Sequence, residues 1–231
     1  MTDDIIREVN EEVQAERMRA FLRRYAGVMI AAVAVVAVAI GAWQFHAWRT
    51  RQAQEVASAR YFEAVRLAQT THVMAGTAPL SPDQTQALAR FRALAADGPQ
   101  GIRTLAQLRV AALATGSGDT KTALAAWEAV RNDAAADPVL RGLASLLWAE
   151  RQLDIADPAQ LRARLTTLTQ TRGAWHGLAQ EALAMLDLRQ GHDADARRRL
   201  AALSQDPDAP DGVRARAGAL LQTFAPAPAG H

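Results

Sequence analysis

Apolar residues follow two different patterns along this chain of 231 residues. Between Tyr25 and Trp48 there is no Asp, Glu, Lys or Arg, and residues 26–43 are apolar throughout. A helix of that length extends roughly 27 Å, close to the ~30 Å hydrocarbon core of a bilayer. After Arg49 the apolar residues recur at helical spacing, interrupted by Gly, Pro and Asp. The chain is therefore predicted to be all-α, with one transmembrane helix over residues 25–48 and a helical domain after it.

A cleaved signal peptide and a buried core helix are the two alternatives to a membrane anchor. The 24 residues before the predicted span make too long a leading region, and the apolar run exceeds the roughly 7–15 residues usual in signal peptides. Bulky residues follow the run, where a signal peptidase requires small ones. A helix packed on the core of a soluble domain of this size usually keeps a polar face, and this run has none. An uncleaved anchor is favoured.

Arginines predict the orientation of the span. Close to the span, more of them lie before it than after it, and cytoplasmic flanks carry the excess of basic residues. Those nearest the span are Arg17, Arg19, Arg23 and Arg24 on one side and Arg49 and Arg51 on the other. Residues 1–24 are therefore predicted to be a cytoplasmic N-terminal helix, with the domain of residues 49–224 on the far side of the membrane.

Two pairs of small residues lie four positions apart within the span. They are Gly27 with Ala31 and Ala37 with Gly41. Such pairs allow a second helix to approach closely in a bilayer, so these four residues are predicted to pack against another transmembrane helix, including one from a second copy of the chain. Chance is the alternative explanation, because the span is rich in alanine.

Short breaker segments divide residues 49–224 into helices. Capping residues mark several starts, among them Ser81 before Pro82 and the Asp-Pro pairs at 137–138 and 157–158. Residues 225–231 are predicted to be a disordered tail. The predicted helices run from the span to about 73 and then over about 82–97, 102–114, 119–131, 137–153, 157–170, 174–191, 193–205 and 210–224.

Two helical hairpins share a sequence pattern. Each has an apolar helix, a Gly turn with an acidic cap, then Ala and a large apolar residue four positions later. The matching residues are Gly118, Asp119, Ala123 and Trp127 in one and Gly191, Asp193, Ala196 and Leu200 in the other. The glycines lie 73 positions apart, about twice 36, and similar hairpins precede and separate the two. This spacing predicts a solenoid of stacked hairpins, with a generic helical bundle as the alternative.

The hairpins resemble tetratricopeptide (TPR) repeats at these Gly, Ala and large apolar positions, although the usual Trp-Leu-Gly-Tyr signature is missing. Residues 4–13 (DIIREVNEEV), Arg23-Arg24-Tyr25-Ala26-Gly27 and the span ending in Trp43 and Trp48 extend the resemblance. The whole chain is similar to the ancillary subunits of the bacterial SecYEG translocon (YfgM-like), whose TPR domain is shared with cell-division coordinators.

That resemblance implies a protein of the bacterial inner membrane with a periplasmic TPR domain. The implied partners are translocon subunits, periplasmic chaperones and unfolded secreted clients. Self-assembly as a cell-envelope or division scaffold is the alternative function.

Composition argues against catalytic chemistry. The chain has no cysteine, which excludes disulfides and thiolate sites, and its five histidines show no metal-binding spacing. No catalytic, metal-binding or cofactor-binding residue is therefore predicted. Binding of nucleic acid requires a clustered basic face, and the nearly balanced net charge of +2 does not indicate one.

Arg141, Trp148 and Arg151 are the predicted partner-binding residues. In a TPR frame they fall on the inner face of a first helix, and an aromatic ring flanked by arginines suits a peptide contact. The alternative is that Trp148 belongs to the core and the two arginines are solvated. The run Arg197-Arg198-Arg199 is expected to be mostly a solvated face, because three successive helical residues point in different directions.

Overall fold

A computed structural model describes residues 2–69, 79–170 and 172–224. Within the first of these ranges, side chains are described only at residue 31 and from residue 34 onward. The described residues form nine α-helices and no strand. The helices are α1 (Thr2–Gln69), α2 (Pro82–Asp97), α3 (Gln100–Gly116), α4 (Thr120–Asn132), α5 (Pro138–Arg151), α6 (Pro158–Thr169), α7 (His176–Arg189), α8 (Asp193–Gln205) and α9 (Asp211–Thr223). The all-α prediction is confirmed for these residues.

The chain divides into two units, residues 1–55 and residues 56–231. The first unit is helical from residue 2 to residue 55. Within the described residues, none of the helices meets the length and apolarity required of a membrane span. The side chains of residues 25–30, 32 and 33 of the predicted span are not among those described. The tail, residues 225–231, lies outside the described residues altogether. The transmembrane helix and the tail stay predictions.

Capping residues start the helices of the second unit at the predicted places. The Ser81 hydroxyl accepts the N–H of Gln84 (3.2 Å), and the Gln84 side chain accepts the N–H of Ser81 (3.0 Å), which forms a capping box. Asp119, Asp137 and Asp157 each accept a backbone N–H in the first turn of the next helix. These bonds satisfy donors that a helix cannot satisfy internally.

Glycine provides two of the turns between helices. Gly118 and Gly191 have φ values of 78° and 74°, in the left-handed region that residues with a Cβ rarely adopt. The predicted left-handed turns are confirmed at both positions. The expectation that Asp193 caps α8 is wrong, because His192 stands at the cap position and its side chain makes no capping bond. Asp193 lies in the first turn, where its charge still favours the helix dipole.

The second unit is built by stacking along the sequence. From α2 to α9 each helix packs against the next, and α7 also packs against α5 and α9. Helices α3, α5 and α7 begin at intervals of 38 residues (100, 138 and 176). Four cross-stack hydrogen bonds join residues 36 positions apart, for example Trp175 Nε1 to the Val139 carbonyl (2.8 Å). This arrangement is consistent with a helical solenoid.

Equivalent positions of successive hairpins are buried in the same way. In the first helices these are Ala106, Ala144 and Ala182, and Val110, Trp148 and Leu186. In the second helices they are Ala123, Leu161 and Ala196, and Trp127, Leu165 and Leu200. Alanine allows close helix approach at the first position of each set, except in α6, where the larger Leu161 stands, and bulkier residues fill the space at the second position.

The buried side chains form two separate clusters. The larger extends from Ala57 in α1 to Leu186 in α7. The smaller consists of Ala184, Leu200, Leu203, Ala209, Val213 and Ala217, from α7 to α9. Helix α7 thus contributes to both cores.

Gly142→Ala is expected to destabilise the stack. A Cβ at position 142 would lie 2.6 Å from Cδ1 of Trp175, whose indole N–H holds the Val139 carbonyl. Overpacking costs about 1–3 kcal/mol, more than the ~1 kcal/mol that alanine contributes to helix propensity. Urea unfolding followed by circular dichroism measures the difference.

Gly218→Ala is the matched control. Position 218 lies in α9, and a Cβ added there would meet no atom within 4 Å. The same substitution there is expected to stabilise the protein by about 0.5–1 kcal/mol through helix propensity alone. Equal effects at the two positions would contradict the proposed packing role of Trp175.

Candidate functional site

Trp148 lies in the core of the stack. Its side chain is 9% exposed, and its position is equivalent to those of Val110 and Leu186. The guanidinium of Arg164 covers the ring at 3.8 Å from the ring centre, a cation–π arrangement. Any contact between a partner and this ring would have to displace Arg164.

The two arginines predicted beside Trp148 lie in different surroundings. Arg151 is exposed and donates to the hydroxyl of Thr120 (2.9 Å), which joins the end of α5 to the start of α4. Arg141 is partly buried, and its Nε has no hydrogen-bond partner among the described residues. The three residues do not form one continuous exposed patch, and partner binding by them stays a prediction.

Glu128 of α4 binds Arg164 of α6, the residue that covers the Trp148 ring. It accepts hydrogen bonds from Arg131 on its own helix and from Arg164 on α6 (2.9 Å). These two guanidinium groups, Arg131 first, lower the pKa of Glu128 from 4.5 to about 2. Arg164 is therefore fixed by a carboxylate on one side and an aromatic face on the other.

Acidification is expected to remove the contribution of Glu128 to stability. A carboxyl group whose folded pKa is depressed stabilises fully above its unfolded pKa, here near 4.5, and loses that effect as the pH falls toward about 2. Because the side chain is about one third exposed, solvent screening limits the contribution to about 1 kcal/mol. The measurement is urea unfolding from pH 7 to pH 2.

Glu128→Gln should lower the stability at neutral pH and make the loss between pH 4.5 and pH 2 shallower. Asp154→Asn, which changes an exposed carboxylate of the same stack, is the control. An unchanged pH dependence in Glu128→Gln would show that the ion pairs with Arg131 and Arg164 do not stabilise the fold.

A second charged cluster joins α5, α7 and α9. Arg216 donates two hydrogen bonds of 2.6 Å to the carboxylate of Glu181, 35 residues earlier and at the equivalent repeat position. The pKa of Glu150 is raised, chiefly because neighbouring groups exclude part of its water and secondly because Glu181 repels it. The fork geometry of arginine suits this bidentate pairing between repeats.

The described residues also form a polar cleft of about 740 Å³ between α6, α7 and α8. Arg162 lines it from α6, Arg172 from the connection to α7, and Arg199 from α8. His176 lies at the start of α7, and its Nδ1 is buried without a hydrogen-bond partner among the described residues. The volume is in the range of small-molecule and peptide-side-chain pockets.

Asp187 forms the floor of this cleft. Its side chain is 2% exposed and accepts hydrogen bonds from Arg162 (2.7 Å) and Arg199 (3.2 Å). The expectation that the arginine run is mostly a solvated face therefore does not hold at Arg199, which pairs with the buried carboxylate of Asp187. Arg198 remains exposed, and Arg197 lies over the ring of Phe224.

Asp187 was missed in the sequence analysis. The signal that could have found it is an aspartate at a repeat position where an apolar residue is expected. It stands inside an apolar helix, where the two preceding repeats have Ala111 and Ala149. A buried carboxylate requires cationic partners. The sequence alone could not say which of the many arginines supply them.

The four predicted helix-packing residues all lie in the first unit. Gly27 falls outside the described side chains, whereas Ala31, Ala37 and Gly41 are exposed. A Cβ at Gly41 would have no atom within 4 Å. Packing of this face against another helix stays a prediction.

Among the residues that the structure describes, no group of three or more His, Asp or Glu side chains is arranged to hold a metal ion. Comparisons of the chain with protein-family models, with curated proteins and with solved structures find no match.

Proposed function

We propose that this chain is a non-enzymatic, membrane-anchored TPR-like scaffold that binds other proteins at the bacterial inner membrane. In its most specific form, the proposal makes it an ancillary translocon subunit that links the Sec translocon to periplasmic chaperones or secreted clients. The observation that carries the scaffold role is the stacking of helical hairpins, which are joined by four hydrogen bonds between residues 36 positions apart. Such stacks present extended surfaces on which other proteins bind.

The anchor is supported by the apolar surface of α1. Large apolar side chains are exposed there on every side of the helix, which water disfavours and lipid accommodates. They are Val35, Val36, Val38, Ile40, Trp43, Phe45 and Trp48. Trp43 and Trp48 stand at the end of the run, where aromatic residues meet the membrane interface.

Photocrosslinking in intact cells tests the scaffold role. A benzoylphenylalanine placed singly at the exposed positions Ala112, Ala129 and Ala202 samples α3, α4 and α8. We expect adducts with translocon subunits, periplasmic chaperones or secreted proteins from at least one position. Adducts only with a second copy of the chain would instead support the envelope or division scaffold that acts by self-assembly.

Labelling of engineered cysteines tests the topology without background, because the chain has no cysteine of its own. Ala96→Cys lies on an exposed position of α2, and Thr2→Cys lies in the N-terminal segment. A membrane-impermeant maleimide added to spheroplasts should label Ala96→Cys and leave Thr2→Cys unlabelled. The reverse pattern would place the helical stack in the cytoplasm and contradict the proposal.

Self-assembly has its own structural support in the exposed small residues Ala37 and Gly41. If these residues pair two copies, Gly41→Leu should abolish a dimer that is measurable in detergent by analytical ultracentrifugation. A monomer that behaves in the same way with and without the substitution would argue against this alternative.

A further inference from the structure

The floor of the polar cleft between α6, α7 and α8 carries more positive than negative charge. Arg162 and Arg199 share the single carboxylate of Asp187, so the three groups together carry one positive charge. Their other neighbours are the amides of Gln190 (2.6 Å from Arg162) and Gln180 (2.7 Å from Arg199), which are neutral. The floor therefore lacks one negative charge.

Both guanidinium groups reach the open part of the cleft. The side chains of Arg162 and Arg199 are 36% and 29% exposed, whereas that of Asp187 is nearly inaccessible. Each guanidinium has five N–H donors, more than the bonds to Asp187 and the glutamines occupy. Asp187 thus holds both arginines from below, while each arginine side chain remains partly exposed.

The walls of the cleft contribute little net charge. Arg172 pairs with Asp208 (2.6 Å), and Arg198 pairs with Asp195. Asp206 at the rim accepts the N–H of Asp208 (3.0 Å) and adds one negative charge there. A ligand with one or two well-placed carboxylates fits this distribution better than a dense polyanion, which the rim would repel.

From this charge distribution we infer that the cleft binds a carboxylate side chain of a partner protein, held by Arg162 and Arg199 above Asp187. The inference rests on the proposed scaffold function for the nature of the ligand, a protein segment. Paired guanidinium groups match the planar carboxylate geometry. His176 lines the same cleft, and its Nδ1 is buried without a hydrogen-bond partner among the described residues.

Fluorescence anisotropy with the full chain in a non-ionic detergent tests the inference. The probe is a fluorescein-labelled peptide of serine and glycine with one central glutamate, and the same peptide with glutamine is the control. We expect saturable binding of the glutamate peptide and at least tenfold weaker binding of the glutamine peptide. No saturable binding of the glutamate peptide, or equal binding of both, overturns the inference.

Substitutions of single arginines locate the binding. Arg162→Gln leaves Asp187 paired with Arg199 and should weaken binding about tenfold, the effect of losing one charge-assisted hydrogen bond. Arg90→Gln removes the same charge from α2, where Arg90 forms a partly exposed pair with Glu63 of α1, and should change affinity less than about twofold. Equal losses in the two variants would overturn the inference.

Asp187→Ala provides the second readout. Alanine occupies the equivalent positions 111 and 149, so the fold should tolerate it, and the floor then carries two positive charges. We expect binding several-fold tighter than in the wild type. Weaker binding by a variant with an unchanged circular dichroism spectrum would overturn the inference.

Competition with inorganic phosphate and with phosphatidylglycerol vesicles tests whether the cleft prefers carboxylates to other anions. Displacement of the bound glutamate peptide by free glutarate and not by these competitors supports a carboxylate site. Binding of phosphate or vesicles without binding of the peptide overturns it. The assay needs neither a membrane nor a cellular partner, so failure of the cleft and failure of the proposed scaffold role give different results.

Discussion

Replacing Val36 and Val38 together by arginine is expected to remove the chain from the membrane fraction of cells that produce it. Both positions lie in the middle of the predicted span, and both side chains are exposed. They stand about 200° apart around the helix, so one helix face cannot shield both charges from lipid. Each arginine at a helix centre costs about 2.5–3.5 kcal/mol of insertion free energy. The measurement is carbonate extraction followed by immunoblotting.

The matched control places the same charges on the same helix beyond the span. Val56 and Phe62 are exposed in α1 after the predicted end of the span at Trp48. Val56→Arg with Phe62→Arg should therefore leave the chain in the carbonate-resistant membrane fraction. If both double variants stayed there, residues 25–48 would not be what anchors the chain.

Leu165→Ala is expected to cause a large loss of folding stability in the stack. Leu165 is 0% exposed in α6, where it fills the position that Trp127 and Leu200 fill in neighbouring hairpins. Truncating such a side chain costs about 2–5 kcal/mol through lost burial and a residual cavity. This is a large part of the roughly 5–15 kcal/mol that stabilises a typical domain. Urea unfolding followed by far-ultraviolet circular dichroism measures the loss.

Ile155→Ala controls for the removal of aliphatic carbon itself. Ile155 is 75% exposed in the connection between α5 and α6. Its truncation should change the free energy of unfolding by no more than about 0.5 kcal/mol. A loss at Leu165 as small as that would mean that the α6 hairpin does not depend on its buried face.

The sequence predicted the helices well because their ends are decided locally. A serine or aspartate at a helix start bonds to N–H groups two or three residues away, as Ser81 does with Gln84. Gly118 and Gly191 likewise take left-handed conformations through their own backbone preference. Such signals need no knowledge of the tertiary fold, and both the caps and the turns are found at the expected residues, apart from the start of α8.

The candidate site was harder to predict because it depends on distant partners. Asp187 meets Arg162 from 25 positions earlier and Arg199 from 12 positions later. The arginine-rich composition offers many equivalent candidates, and only the packing of α6 and α8 against α7 selects these two. Trp148 shows the same limit, since a rotation of one helical position decides whether its ring faces solvent or the core.

The presence of two hydrophobic cores gives α8 and α9 a degree of independence from the rest of the stack. The smaller core holds few side chains, so a partial opening that releases these two helices should cost less than global unfolding, and their amide protons should exchange sooner. Such an opening separates Arg199 from Asp187 and Arg162. Occupancy of the cleft and closure of the last hairpin are therefore thermodynamically coupled, so that each carboxylate bound there would slow proton exchange in α8 and α9.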